Sequence, residues 1–294
     1  MPDSEYQDNP QMQRAIYQLY RDYFNLAERR RRWNLETDIP WDQCQADQKN
    51  HAVADIIESF CTVEMYLPDY TSQILPVVRS SRGRAWFAAN WGYEESKHSL
   101  AMEDWLLKSG HRSEEQMHDL ENQVVDHPWK IPQGDVRALL TYSMIQEHAT
   151  WLHYRNLRNL IGSAGDAALF KLLTLIIIDE RAHYDFFKKL VRLHLIEDRA
   201  GTLEQLRKVM HDFHMPAIAL LPDGKRRMEL VERLGLFNES IYFEHVYMPT
   251  LADLGVERKE MRRKTRREYV QGALDITPAE SATQADAPPQ RPAA

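Results

Sequence analysis

Glu95-Ser-Lys-His98 and Glu180-Arg-Ala-His183 share one chemical pattern, a carboxylate followed three residues later by an imidazole. Each falls within a run that reads as helix. Three residues is close to one helical turn, so the Glu and His leave the same face and can grip one cation together. Two such pairs in one chain point to two metal ions.

The faces around the pairs strengthen that reading. Stepping by three and four residues from Glu95 collects Ala88, Trp91, His98, Met102 and Trp105; the same walk from Glu180 collects Leu173, Ile176, Ile177, His183, Tyr184 and Phe187. Both pairs therefore stand in the apolar stripes of core helices. An ionised carboxylate there is costly unless it is protonated, paired or bound to metal. A hydrogen-bonded Glu-His pair buried in each helix is the plain alternative, and the duplication argues against it.

A two-metal site in a helical bundle calls for one more carboxylate from each of two further helices. Glu64 lies on the stripe of Ile57, Phe60, Cys61 and Leu67, whereas Glu58 lies off it; Glu147 lies on the stripe of Leu140, Met144, Trp151 and Tyr154. In isolation either would read as a buried carboxylate paired with an Arg or Tyr. The order Glu, Glu-x-x-His, Glu, Glu-x-x-His is instead an internal repeat of a two-helix unit. Four carboxylates and two neutral imidazoles around two divalent ions are formally neutral. Oxygen and nitrogen donors without thiolate suit iron or manganese alike.

These motifs resemble the soluble acyl-acyl-carrier-protein desaturases, ferritin-like di-iron enzymes. Trp86-Phe-Ala-Ala-Asn-Trp-Gly-Tyr-Glu94-Glu95-Ser-Lys-His98 is similar to the family's first Glu-Glu-x-x-His segment, and Ile178-Asp179-Glu180-Arg-Ala-His183 to its Asp-Glu-x-x-His segment. Gln146-Glu147-His-Ala-Thr150 resembles the family's Gln-Glu-Arg-Ala-Thr, and Glu64-Met-Tyr-Leu-Pro68-Asp-Tyr70 its Glu-Glu-Ala-Leu-Pro-Thr-Tyr. Trp33 ahead of Asp38-Ile-Pro40, and Met215-Pro-Ala217 ahead of Asp223-Gly224, extend the match over most of the chain.

The resemblance implies an all-α fold, a ferritin-like four-helix bundle core with additional flanking helices, holding two iron ions on Glu64, Glu95, His98, Glu147, Glu180 and His183. It implies that Trp33 and Asp179 form a hydrogen-bonded electron path to His98, and that Thr150 delivers protons during oxygen activation. A carboxylate behind an imidazole ligand orients it and raises its basicity, a physical reason to expect Asp179 there. On spacing alone, Trp33 could equally be a packing residue and Thr150 could bond back to a helix carbonyl.

The implied activity is oxygen-dependent introduction of a cis double bond into a fatty acyl chain on acyl carrier protein. A ferredoxin-type donor would supply the electrons, and the enzyme would be a homodimer. Three positions depart from the family pattern, with Ser99 for Gly, Tyr184 for Glu and His148 for Arg. None removes a ligand. Two other readings share the ligand set: a di-metal oxygenase such as an N-oxygenase or hydroxylase, whose product gains oxygen, and an iron-oxidising or storage protein, which loads many irons per chain.

The periodicity predicts helices over residues 11–32, from near 46 through Glu64 to a kink or end at Pro68, then over 81–108, 113–124, 135–160 and 166–195. Weaker helices follow at 202–213, 226–234 and 239–271, without strand alternation anywhere. Residues 1–8 read as a flexible N-terminus and 9–271 as one ferritin-like di-iron domain. Residues 272–294 read as a disordered Pro/Ala-rich tail with too little apolar surface to order itself.

At 294 residues with 43% hydrophobic content the chain can bury one large core. Cys44 and Cys61 make no disulfide framework, and the acidic, polar start is unlike a secretory signal or an Arg-rich transit peptide, so the cytoplasm is the expected compartment. The longest apolar run is far short of the about 20 residues a bilayer span needs. A net charge of −7 argues against nucleic acid as a partner. Basic clusters at Arg29 to Arg32 and at Lys188 with Lys189 could steer an acidic carrier protein or ferredoxin. They could equally be solvated helix faces balanced by Glu.

Overall fold

Helix boundaries follow the capping residues. Asn9 accepts from the Met12 amide ahead of α1 (Pro10–Arg30), and Ser113 and Gln116 form a reciprocal box ahead of α5 (Glu114–Asp126). Asp135 caps α6 (Val136–Ile161), and Asp166 caps α7 (Ala167–Glu197) while also accepting from the Trp105 indole at 3.0 Å. Gly162, at φ +72°, stops α6 in a conformation that a side chain would strain. The computed structural model describes residues 8–44, 51–131, 135–215 and 218–262.

Pro68 is a start as well as a stop. The helix carrying Glu64, α2 (His51–Met65), ends, and α3 (Leu67–Val78) begins at once with Pro68 in its first turn, where no backbone N–H is required. The sequence pattern does not predict α3. The helices α4 (Arg82–Lys108), α8 (Arg199–His211) and α9 (Gly224–Arg233) agree with expectation to within a few residues. The single helix expected over 239–271 is instead α10 (Glu239–Tyr242), a π turn over Phe243–Tyr247 and α11 (Met248–Leu254), closed by Gly255 at φ +65°. Pro249 cannot donate to a continuous α-helical ladder, and the wider turn before it accommodates that loss. The expected tail, the last part of the helix expected over 239–271, the first seven residues and the start of the second predicted helix lie outside the described residues.

α2 pairs with α4, and α6 pairs with α7 along most of its length; the two pairs meet through α4 and α7, and α1 lies across both of these. This is the expected all-α bundle with flanking helices, and no strand occurs among the described residues. The apolar interior falls into two large groups. One holds Phe87, Trp91, Ile145, Phe187 and Leu190; the other holds Met102, Trp105, Leu157, Leu173 and Ile176. In both α4 and α7 the Glu-x-x-His turn lies between the two groups, so a polar layer divides the core.

α1 reaches this layer because it crosses α4 with backbone in contact. A Cβ on Gly83 would sit 2.8 Å from the Ile16 carbonyl carbon and oxygen. Gly83→Ala should therefore destabilise the protein by about 1–3 kcal/mol, although alanine favours an isolated helix by about 1 kcal/mol. The midpoint of urea unfolding measures this; an unchanged or raised midpoint would show that α1 can shift without cost.

Candidate metal centre

The four long bundle helices deliver the expected residues to one place: Glu64 from α2, Glu95 and His98 from α4, Glu147 from α6, and Glu180 and His183 from α7. All six are buried. They form two overlapping groups, Glu64, Glu95, His98 and Glu180, and Glu95, Glu147, Glu180 and His183, with the candidate ligand atoms of each group all within 4.8 Å of one another. Glu95 and Glu180 belong to both. This is the arrangement of two adjacent cation sites with shared carboxylates.

The imidazoles show which atom each presents. His98 Nδ1 lies 3.0 Å from Glu95 Oε2 and 3.2 Å from Glu180 Oε1, while its Nε2 faces Asp179 Oδ2 at 3.3 Å. His183 Nδ1 lies 3.0 Å from Glu95 Oε1 and 3.3 Å from Glu147 Oε2, while its Nε2 faces Glu94 Oε2 at 2.8 Å. Glu95 Oε1, Glu180 Oε1 and His183 Nδ1 are buried without a well-formed hydrogen bond. Buried polar atoms normally have well-made hydrogen bonds, so neighbours this close whose bonds are poorly formed fit cations held between them. The remaining ligand oxygens are steadied from behind, Glu64 by the Tyr154 hydroxyl at 2.8 Å and Glu147 by the Trp91 indole at 3.2 Å.

Electrostatics fit the same purpose. Burial, then the Glu95 charge, pushes the Glu64 carboxyl well up. Burial, then Glu180, does so for Glu147, and burial with Glu95 raises Glu180 to about 7. Burial also pushes Glu95 upward, but the His98 and His183 imidazoles outweigh it and hold that carboxyl below the usual range. Burial opposes charge on both imidazoles; Glu95 overcomes it at His98, and Tyr23 with Glu95 at His183, so both stand well above the ordinary range. The layer holds protons in places where cations could replace them.

Behind the imidazoles stand two hydrogen-bonded chains of side chains, one of which is expected from the family resemblance. Trp33 Nε1 donates to Asp179 Oδ2 at 2.7 Å, and Asp179 meets His98 as expected. On the other side the Tyr23 hydroxyl donates to Glu94, and Glu94 meets His183. Arg31 joins the two, pairing with Asp179 and with Glu94 Oε1 at 3.0 Å, and Arg32 adds a second pair to Glu94. The signal for Glu94 was in the repeat itself, because an acid precedes the motif Glu in both copies. Tyr23 and Arg31 carry no such signal, since α1 lies far away in sequence. Arg31→Met should weaken metal binding about 10–100-fold by loosening both hydrogen-bonded chains, the usual effect of removing an outer partner. Competition against a chelator measures it; full affinity would make Arg31 a mere packing residue.

Three further expectations gain a location. Thr150 stands half-buried one turn beyond Glu147 on α6. The departures at 148 and 184 touch each other: the His148 and Tyr184 rings lie 4.2 Å apart, His148 Nδ1 meets Thr250 Oγ1 at 2.9 Å, and Tyr184 donates to Asp253 at 2.9 Å. The Ser99 hydroxyl donates to the Cys61 carbonyl at 3.4 Å, tying α4 to α2. The basic clusters divide: Arg31, Arg32 and Lys188 are engaged with carboxylates, whereas Arg29, Arg30, Lys189 and Arg192 are exposed.

Beside the cluster, walled by Trp91 and by Phe87, lies an apolar cavity of about 20 Å³ whose other walls include Ala88, Leu139, Leu140 and Phe187. Phe87 faces His183 with ring centroids 6.5 Å apart. No described helix is long and apolar enough to cross a membrane.

Comparison with known proteins agrees with this geometry. The chain is 24% identical over 232 residues to DesA1 of Mycobacterium tuberculosis, named as an acyl-[acyl-carrier-protein] desaturase, covering 75% of this chain and 66% of that one. It is 29% identical over 172 residues to stearoyl-[acyl-carrier-protein] 9-desaturase 6, chloroplastic, of Arabidopsis thaliana, covering 55% of this chain and 44% of that one. The chain thus spans just under two thirds of the first relative and less than half of the second. Among solved structures, DesA2 of Mycobacterium tuberculosis superposes with a TM-score of 0.64 at 15% identity, covering 85% of this chain and 97% of that one. An R2-like ligand-binding oxidase with a Mn/Fe cofactor superposes at 0.58 and 16% identity, covering 86% and 99%. These likenesses establish the ferritin-like fold. The family model for fatty acid desaturases matches residues 25–274, and the chain belongs to that family.

Proposed function

We propose that this chain is an oxygen-dependent di-iron desaturase that introduces a cis double bond into a fatty acyl chain carried on acyl carrier protein, with electrons from a ferredoxin-type donor. The observation that carries this reading is the convergence of six side chains from four helices in a chain matched over 25–274 by the fatty acid desaturase family. Two iron ions there would supply the dioxygen reduction and the oxidising power needed to take hydrogen from an unactivated methylene.

The protein's own part is orientation and charge. Glu64, Glu95, Glu147 and Glu180 offer carboxylates that can bridge or bind singly, while Tyr154 and Trp91 hold Glu64 and Glu147 in place. Asp179 and Glu94 fix the imidazoles with Nδ1 inward, which sets the tautomer and strengthens each as a donor. Trp33 conducts electrons toward His98 through Asp179, and Thr150 Oγ1 holds a proton one turn from Glu147. The apolar cavity beside Trp91 would receive the reacting methylenes. At about 20 Å³ it has room for one small group, so Phe87, Phe187 and Leu140 must part to admit a chain. The exposed Arg29, Arg30, Lys189 and Arg192 suit an acidic carrier or donor, and a homodimer follows by family analogy.

Iron-loaded protein incubated with stearoyl or palmitoyl carrier protein, ferredoxin, reductase and dioxygen should yield acyl product lighter by two hydrogen atoms. Product heavier by oxygen would assign the chain to the related di-metal oxygenases. No product across chain lengths, with many irons bound per chain, would assign it to iron oxidation or storage.

A further inference from the structure

Trp33 has a cation on its face. Lys97, only 5% exposed, places its Nζ 3.9 Å from the Trp33 ring centroid and donates to the Trp33 carbonyl at 2.5 Å. Lys97 lies inside the first motif, between Glu95 and His98, yet its side chain leaves the ligand face and crosses to the end of α1. Burial pulls the ammonium below its usual range, and the Asp179 and Glu94 charges oppose that pull.

We propose that Lys97 is a positioning residue that keeps Trp33 in its reduced form, so that the Trp33–Asp179–His98 path passes electrons inward without the indole giving up one of its own. This rests on the electron path proposed above. A cation over the face of a neutral indole is attracted by the ring's electron density. Oxidising the indole by one electron makes the ring positive and turns that attraction into repulsion, which is strong at this distance in a buried site. Asp179 acts in the opposite direction. As an anion accepting the indole N–H at 2.7 Å it stabilises a positive ring and can take its proton, so Trp33 without Lys97 would be an easily oxidised residue. The other hydrogen-bonded chain repeats the device: the Arg31 guanidinium lies 4.9 Å from the Tyr23 ring centroid, and Tyr23 also donates to a carboxylate behind an imidazole. Two aromatic groups hydrogen-bonded toward one site each carry a cation, Lys97 buried and Arg31 half-buried.

The test uses the full chain loaded with zinc, a redox-inert ion, and a photogenerated ruthenium(III) complex as one-electron oxidant. One electron passes from Trp33 to ruthenium(III) and the indole proton passes to Asp179; a second ruthenium(III) takes another electron from the radical, water adds to the oxidised ring and a further proton leaves, giving hydroxytryptophan heavier by one oxygen. Peptide mass spectrometry reads the yield at Trp33 relative to Trp86, which is 46% exposed and serves as internal reference. Lys97→Met, close in length and uncharged, should raise that ratio about tenfold, and Lys97→Arg should leave it within about twofold of the parent. Lys97→Gln gives the same comparison if the Met variant folds poorly. An unchanged ratio in the uncharged variants, or an equal rise in Lys97→Arg, would overturn the proposal. Because zinc-loaded protein performs no turnover, failure to detect desaturation leaves this outcome readable.

Discussion

Glu180→Ala should drop bound iron from about two per chain to one or fewer, and desaturated product should fall by at least about 100-fold, more than the loss of an outer partner. Glu180 belongs to both overlapping donor groups, so its removal takes an oxygen from each site at once. Glu147→Ala, which removes a donor from one group only, should leave one ion bound more tightly than the other. Elemental analysis after gel filtration counts the ions, and Glu121→Ala on the solvent face is the control, with a side chain 67% exposed. Two ions retained in the Glu180 variant would mean that the cluster is not the metal site.

Chelator-treated protein should lose stability as pH rises, and metal-loaded protein should not. The Glu180 carboxyl stands at about 7 in the fold against an ordinary value of 4.5, so its contribution is fully present below the lower value. It is lost as pH rises through the folded value, because only the unfolded chain ionises in between; a shift of this size corresponds to about 3 kcal/mol. Glu64 and Glu147 are raised in the same sense. These carboxyls share their protons, so the trend belongs to the set. His98 and His183 are raised above 6.5 and add a loss of the same sign at higher pH. Glu95 is shifted the other way, and its gain is complete above its ordinary value of 4.5. With metal bound the protons are displaced, and affinity rises with pH. Thermal midpoints compared on both sides of neutrality decide it; parallel trends with and without metal would contradict the assignment.

The candidate ligand set was legible because helical geometry is local. Spacing alone places Glu95 with His98 and Glu180 with His183, and the apolar stripes around Glu64 and Glu147 show which way those carboxylates turn. Asp179 and Trp33 needed the family pattern, since nothing local joins the end of α1 to the middle of α7. Tyr23 and Arg31 were hidden for the same reason, being joined to the site only by the crossing of α1 over α4. Arg31, Arg32 and Lys188 show the converse limit: a run of basic residues reads as surface, and only the fold reveals the carboxylates it meets. Pro68 ends the second helix as expected and also opens α3, while the stretch around Pro249, expected to be one helix, widens into a π turn ahead of it.

Where the family has an arginine and a glutamate, this chain sets the His148 ring against Tyr184, which with Thr250 and Asp253 joins α6, α7 and α11, and Lys188 pairs with the same Asp253. Burial holds His148 down to about 4, so the ring is neutral under physiological conditions. The His148–Tyr184 contact itself holds no ion pair and escapes screening by salt, whereas the Lys188–Asp253 pair beside it does not. A change of uncharged shape at the His148–Tyr184 contact therefore leaves the charge of the neighbouring carboxylate layer as it was.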